Sequence, residues 1–244
     1  MPLIKDFHKV TLADRDDVLR HTRHNPYRNC DYSFSNLYGW SDLYGTEVAF
    51  HKGMMVVRFY NPAQDRQAFL MPVGDGDLRE VLLDMETDLR ERGEEHIILM
   101  SVTNNALEEL KALKPAQMRE FGNRDYCDYL YLRESLATLT GKKLQSKRNH
   151  INKFERQYPE WRYEEITGEN VDKCIALEGV WLDNTETDKQ KLAEKKVVLG
   201  ALRNREEIGL TGGCIMVGER VVAFSLGMPL SPDTFDVNIE KADT

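Results

Sequence analysis

Hydrophobic positions along this chain follow two rhythms, and each predicts its own kind of element. Phe7 to Leu12 reads as a short strand, and Asp14 to His24 as a helix with acidic residues in its first turn. Phe34 to Tyr44 is an aromatic-rich helix candidate. Three strands are expected next, over Thr46–His51, Met54–Tyr60 and Gln67–Val73, joined through the turn signals Lys52-Gly53 and Asn61-Pro62-Ala63. Leu78, Val81, Leu82, Met85 and Leu89 then fall at helical spacing between a capping residue, Asp77, and Gly93. His96–Val102 reads as a buried strand, Asn104–Leu113 as a helix and Tyr126–Leu132 as another strand. Together these predict one mixed α/β unit.

A second series begins near Leu139. Gly141 to Tyr158 has helical spacing, Trp161–Ile166 reads as a strand, and Glu169–Leu182 and Glu186–Asn204 as two helices. Gly213–Val217 and Val221–Met228 are strands joined at Gly218-Glu219, where a leading glycine suits a type II′ hairpin. A last strand runs from Thr234 towards the end. Strand, helices and a three-strand meander thus occur twice, which predicts a pseudo-repeat in element order, with domains at 1–138 and 139–244. The first copy continues from Asp77 to Leu132 with helix, strand, helix and strand, and the second has no such continuation. A sheet that stopped there would leave an unpaired edge, so the second domain is expected to lack a segment of about 50 residues.

Composition narrows the class. Apolar residues make up 41% of the 244 and charged residues 30%, the balance of a globular protein and not of a disordered or collagen-like one. No apolar run approaches the roughly 18 residues that span a bilayer, and the polar start is unlike a secretory signal. Cys30, Cys127, Cys174 and Cys214 are far apart with no CxxC pair, which reads as reduced thiols in a cytoplasmic protein rather than a disulfide framework or zinc site.

Charge is distributed unevenly. The net formal charge is −8, yet Lys142, Lys143, Lys147, Arg148, Lys153 and Arg156 face a single acid, Glu155, within Lys142–Arg156. On a helix, Leu144, Ile151 and Tyr158 form a narrow apolar seam beside Phe154, opposite a polar stripe of Lys142, Gln145, Asn149, Asn152 and Arg156. Such a stripe suits an anion: the phosphates of an RNA acceptor stem, a nucleotide cofactor or anionic lipid head groups. It equally suits a solvated face paired with the acidic remainder of the chain.

Other features carry less chemistry. Gly74-Asp75-Gly76-Asp77 follows a strand and opens a helix, but its two carboxylates repel phosphate and its spacing fits neither nucleotide-loop pattern, so it reads as a turn and cap. Neither HExxH nor GxSxG occurs, and Ser225 reads as mid-strand. His21 and His24 lack a third ligand, so no metal site is expected. Tyr27, Tyr32, Phe34, Tyr38, Trp40 and Tyr44 read as core or groove lining. Near the end, Phe235, Val237 and Ile239 alternate with Asp236, Asn238 and Glu240 as in a half-buried strand. Lys241 and Asp243 then place charge on the apolar face, a conflict that a bulge or bend would resolve. Glu240 or Asp243 could serve there as general base and Lys241 as oxyanion stabiliser; solvated charges at a fraying strand end are the alternative.

Four segments carry a family resemblance: Cys30-Asp31-Tyr32-Ser33-Phe34-Ser35-Asn36-Leu37, the Asp128-Tyr129 region, Gly141-Lys142-Lys143 with Lys147-Arg148-Asn149-His150-Ile151-Asn152, and Val237-Asn238-Ile239-Glu240-Lys241-Ala242-Asp243. Over nearly its whole length the chain resembles a bacterial family of unknown function grouped with the C-terminal domain of phosphatidylglycerol lysyltransferase. That resemblance implies two tandem GNAT-like acyltransferase folds and the transfer of an aminoacyl group from charged tRNA. The Arg/Gln-x-x-Gly-x-Gly/Ala loop typical of acetyl-CoA binding is absent.

The expectation is therefore a mixed α/β acyltransferase built from two GNAT-like halves, the first mainly structural. Lys142, Lys143, Lys147 and Arg148 would hold donor phosphates, with Asn149 and Asn152 as hydrogen-bonding neighbours. An amine or hydroxyl would attack the donor carbonyl between the halves, assisted by Glu240 or Asp243 and by Lys241. The implied partners are an anionic donor, aminoacyl-tRNA or acyl-CoA, and an acceptor the sequence does not identify, with no DNA and no tightly bound cofactor. A non-catalytic phosphate- or RNA-binding module and a purely structural tandem unit are the alternatives.

Overall fold

Met54, Met55, Val56 and Val57 are all buried, an unbroken apolar run of the kind found in a strand covered on both faces. In the computed structural model, which describes residues 3–62, 65–115, 117–183 and 189–243, this run opens β3 (Met54–Asn61). β3 pairs antiparallel with β2 (Glu47–His51) in the register Val48↔Val57 and Ala49↔Val56. Around this hairpin stand β1 (His8–Lys9), β4 (Arg66–Leu70) and β6 (Leu99–Met100), in the order β1-β2-β3-β4-β6. β5 (Val73–Gly74) pairs with the start of β3 through Met54↔Gly74. β4 and β6 are parallel, and such a pair requires a crossover, here made by helix α4 (Leu78–Glu91). Val81, Met85 and Leu89 supply its buried stripe. The Asp88 carboxylate on the same helix accepts the backbone N–H groups of Leu3 (2.5 Å) and Ile4 (2.8 Å).

The Gly-Asp-Gly-Asp stretch is a turn and cap. The Asp77 side chain accepts the backbone N–H groups of Arg79 (2.8 Å) and Glu80 (3.2 Å) at the start of α4. A Cβ at Gly76 would lie 2.1 Å from the Lys52 carbonyl oxygen, so this glycine lets the loop close on the β2–β3 turn.

Helix α1 (Arg15–Thr22) contacts β3 and β5. The expected helix over Phe34–Tyr44 is two short ones, α2 (Phe34–Gly39) and α3 (Ser41–Tyr44), broken where Trp40 takes φ −92° and ψ 0°. Tyr27, Tyr32 and Phe34 are buried, and the Tyr32 hydroxyl donates to the Met71 carbonyl at 2.8 Å. Helix α5 (Asn104–Ala112) lies where expected. The strand expected at His96–Val102 is reduced to β6. No strand forms at Tyr126–Leu132, which runs into an unexpected helix α6 (Arg133–Thr138).

Further along are α7 (Gln145–Gln157), β7 (Arg162–Glu165), α8 (Val171–Asp183), α9 (Lys189–Arg203) and α10 (Arg205–Ile208). The expected helix start at Glu186, like Ala63 of the expected turn, lies outside the described residues. A second sheet follows, with β8 (Thr211–Val217), β9 (Arg220–Ser231) and β10 (Thr234–Ala242) in the order β10-β9-β8-β7. Gly218, between β8 and β9, takes the positive φ of 59° that the expected hairpin turn needs.

The compact units do not follow a cut at residue 138. One comprises Met1–Gly122, Asp188–Thr211 and Gly227–Asn238, the other Asn123–Thr187, Gly212–Leu226 and Ile239–Thr244. Packing inside the first unit gives the reason. A Cβ at Gly39 would lie 3.0 Å from Val197 of α9, and the Arg15 Nε donates to the Ile208 carbonyl at 3.0 Å. In the second unit Ile166, Cys174, Leu177, Cys214, Met216, Val221 and Phe224 are buried. The fold is mixed α/β with two sheets.

Candidate functional site

Helix α7 begins after Gly141, whose φ of 84° favours glycine, and a single 3₁₀ turn over Lys142–Leu144. None of its residues is buried, and Ile151, in the middle of the expected apolar seam, is 46% exposed. Its anchoring lies towards its end, where the half-buried Phe154 ring packs against Tyr158 and Trp161 at centroid distances of 5.2 and 6.3 Å. Arg148 turns back to donate its Nη1 to the carbonyl oxygens of Leu139 and, at 2.9 Å, Gly141. Lys142, Lys143, Lys147, Lys153 and Arg156 are exposed, as are Asn149 and Asn152. Among the described residues, no carboxylate lies within 4 Å of any of the six cationic groups. The charge is left unneutralised.

Elsewhere in the same compact unit the cations are taken up. Arg162, Glu164, Glu165, Thr167, Glu169, Asn170 and Lys173 line an open concavity of about 410 Å³. There Arg162 pairs with Glu164 at 2.7 Å and Lys173 with Glu219 at 2.8 Å. Hydrogen bonds from Arg162, and secondarily Asn170, hold the Glu164 carboxyl below its ordinary range.

The end of β10 resolves its sequence conflict by pairing. Ile239 and Lys241 are both buried, and the Lys241 ammonium lies 3.7 Å from the Glu178 carboxylate of α8, with side-chain exposures of 7% and 0%. Arg220 donates to Asp243 at 2.5 Å. Glu240 is exposed and makes no ion pair among the described residues. Residues 239–244 and α7 belong to one compact unit.

Sequence reasoning missed a polar network in the other unit. The Asn238 Nδ2 lies within hydrogen-bond reach of Ser33 Oγ (2.9 Å), Asn36 Oδ1 (3.2 Å) and Asp236 Oδ2 (2.7 Å). Asn36 in turn donates to the Cys30 carbonyl at 2.9 Å. The signal was present, because Cys30–Leu37 and Val237–Asp243 are two of the segments that carry the family resemblance. Their meeting is a long-range fact that no local pattern encodes.

Among the described residues, no helix is long and apolar enough to cross a membrane. A mixed α/β protein with a cationic helix left uncompensated among the described residues is the class these features define. The family model for the C-terminal domain of phosphatidylglycerol lysyltransferase matches residues 22–244, and the chain belongs to that family. Its relation to a lysyltransferase domain suggests an acyl- or aminoacyltransferase-like function. A crystal structure of a conserved protein of unknown function from Bacteroides thetaiotaomicron VPI-5482 is similar at 40% identity with a TM-score of 0.89. The similarity covers 97% of this chain and 80% of that one. No curated protein matches.

Proposed function

We propose that the protein is an aminoacyl- or acyltransferase of GNAT-like tandem architecture whose donor is held through its phosphates by the cationic helix. The observation that supports this is that six cations within 15 residues have no carboxylate partner among the described residues, in a chain of net charge −8. Lys142 and Lys143 add to the partial positive charge at the start of α7, where cations disfavour the helix by about 0.3–1 kcal/mol each. An arrangement that costs stability and serves no internal pair fits a polyanionic ligand. Lys142, Lys143 and Lys147 contact the donor phosphates, Asn149 and Asn152 supply neutral hydrogen bonds, and Arg148 joins them while holding the turn before the helix.

In this reading an acceptor amine or hydroxyl attacks the donor carbonyl. A C–N or C–O bond forms, and the ester C–O bond of aminoacyl-tRNA, or the thioester C–S bond of acyl-CoA, breaks. Glu240 is best suited to take the acceptor proton, because Asp243 already pairs with Arg220. Lys241, the expected oxyanion stabiliser, is buried against Glu178 on the strand face opposite Glu240 and serves the fold instead. The protonated leaving oxygen or sulfur departs with the tRNA or CoA.

The test is incubation with charged tRNAs and with acyl-CoAs, following loss of ester or thioester. Accelerated loss with one donor class, reduced by Lys142→Ala, Lys143→Ala and Lys147→Ala together and abolished by Glu240→Gln, is the expected result. No acceleration with either class rejects the proposal. A non-catalytic polyanion-binding module is the second reading, favoured by the internal pairing of Lys241 and Asp243. It requires salt-sensitive tRNA binding that the triple variant weakens, without turnover.

A further inference from the structure

Cys214 and Met216 alternate with half-buried neighbours along β8, so both point to the packed side of the second sheet. On α8, Cys174, Leu177 and Glu178 fall at helical spacing and are likewise buried. These two faces bring a pair of thiols together. Cys174 is 0% and Cys214 1% exposed, and the Cys174 S–H donates to the Cys214 sulfur. Cys30 is half-buried and Cys127 exposed. A single buried cysteine is a small apolar side chain, whereas two in contact are a nucleophile and the thiol that can resolve it. The proposed transfer reaction uses neither.

Solvent comes within one residue of both sulfurs. Lys173, which precedes Cys174, and Glu164, which pairs with Cys214 across β7 and β8, line the open concavity. Burial pushes the Cys214 thiol up, the bond from Cys174 opposes it, and the charge of Glu164 is set against those of Arg162 and Lys173. So enclosed a thiol excludes large or charged oxidants and admits a small neutral one, a peroxide.

We infer that Cys174 and Cys214 form a redox pair, which a peroxide closes into a disulfide between α8 and β8. The Cys214 sulfur, as thiolate, attacks one peroxide oxygen; the O–O bond breaks, and the departing hydroxide leaves as water with the Cys214 proton. Cys174 then attacks the sulfenic sulfur. An S–S bond forms, the S–O bond breaks, and a second water carries off the Cys174 proton. The two thiols lose two electrons and the peroxide gains them. The disulfide closes a covalent loop, Cys174–Cys214, that contains α9 and α10, and so restricts the unfolded chain more than the folded one. The inference concerns redox state and is independent of the donor and of catalysis.

The experiment treats the folded protein with hydrogen peroxide, removes the oxidant with catalase, then unfolds the chain in urea and alkylates it for peptide mass spectrometry. The expected product is a cross-linked Cys174–Cys214 peptide pair that alkylation misses and dithiothreitol restores. The oxidised protein should also unfold at higher urea, with a folded-to-unfolded ratio raised on the order of a hundredfold. Cys174→Ser should stop Cys214 at the sulfenic acid, which dimedone traps; should that variant not fold, the wild-type cross-link decides. Full alkylation of Cys174 and Cys214 after the exposed Cys127 has been oxidised overturns the inference. So does Cys214 recovered from the wild type as sulfinic acid, or a disulfide from either thiol to Cys30 or Cys127.

Discussion

Two groups of cations in the same compact unit meet opposite fates. Lys241 is buried against Glu178, and Arg162 and Lys173, which line the open concavity, are paired with Glu164 and Glu219. The lysines of α7 and of the turn before it stand in solvent, with no carboxylate within 4 Å among the described residues. The fold accounts for the first group: Lys241 faces the buried Glu178, and Arg162 and Lys173 have carboxylate partners at the surface. Among the described residues, no ion pair accounts for the second. Residue chemistry that folding does not use is available for binding, and the proposed donor site rests on that contrast more than on a count of lysines.

The largest effect should come from breaking the buried pair. Lys241→Ala removes the cation 3.7 Å from the fully buried Glu178 and should cost about 3–5 kcal/mol in urea unfolding. Lys241→Met with Glu178→Leu should recover most of that loss, because a pair of apolar residues has no desolvation penalty. A loss below about 1 kcal/mol for Lys241→Ala would place Lys241 with the uncommitted cations and erase the contrast.

The two groups also differ in how far sequence reveals them. The density of lysines in Lys142–Arg156 is local, so it is visible at once, as are the Asp77 cap and the buried run Met54–Val57. The pairing of Lys241 with Glu178 is invisible because the partners lie on different elements far apart in the chain, and the same holds for Asn238 with Ser33 and Asn36. Tyr126–Leu132 illustrates the converse. Its pattern specifies a strand, but a strand exists only with a hydrogen-bonded neighbour, and no pattern within the segment supplies one. Packing also rules over pattern in α7, whose seam reads as amphipathic yet leaves Ile151 half exposed.

A middle-sized effect separates two neighbours on α7. Arg148→Ala removes the bonds to the Leu139 and Gly141 carbonyls and should cost about 1–2 kcal/mol. Lys147→Ala, which removes only charge, should stay within about 0.5 kcal/mol. Against a tRNA probe, each substitution should lower the slope of log affinity on log salt by about one. If Lys147→Ala destabilises as much as Arg148→Ala, Lys147 belongs to the fold and not to the ligand.

The smallest effect concerns a cation that the fold holds only when it is protonated. His8 directs Nε2 at Asp14 (2.7 Å) and Nδ1 at the Asp6 carbonyl (2.8 Å), and two acceptors require both ring nitrogens to donate. The hydrogen bond to Asp14, then that to Asp6, raises the His8 pKa. Burial pushes the Asp14 carboxyl up, but bonds from His8 and Thr11 outweigh it and leave its pKa lowered. The raised His8 value contributes stability that is complete below about pH 6.5 and is lost as pH rises through the folded-state pKa. The lowered Asp14 value contributes above about pH 3.9 and is lost as pH falls through its own folded-state value. Both contributions are complete together only between those limits. His8 is 46% exposed, so solvent screening holds the pair to about 0.5 kcal/mol. The thermal midpoint of the wild type minus that of His8→Ala should therefore be greatest from about pH 4 to pH 6.5 and decline on both sides. A difference that keeps rising above neutrality would mean that His8 stabilises the fold as a neutral ring, leaving no titratable member among the cations the fold employs.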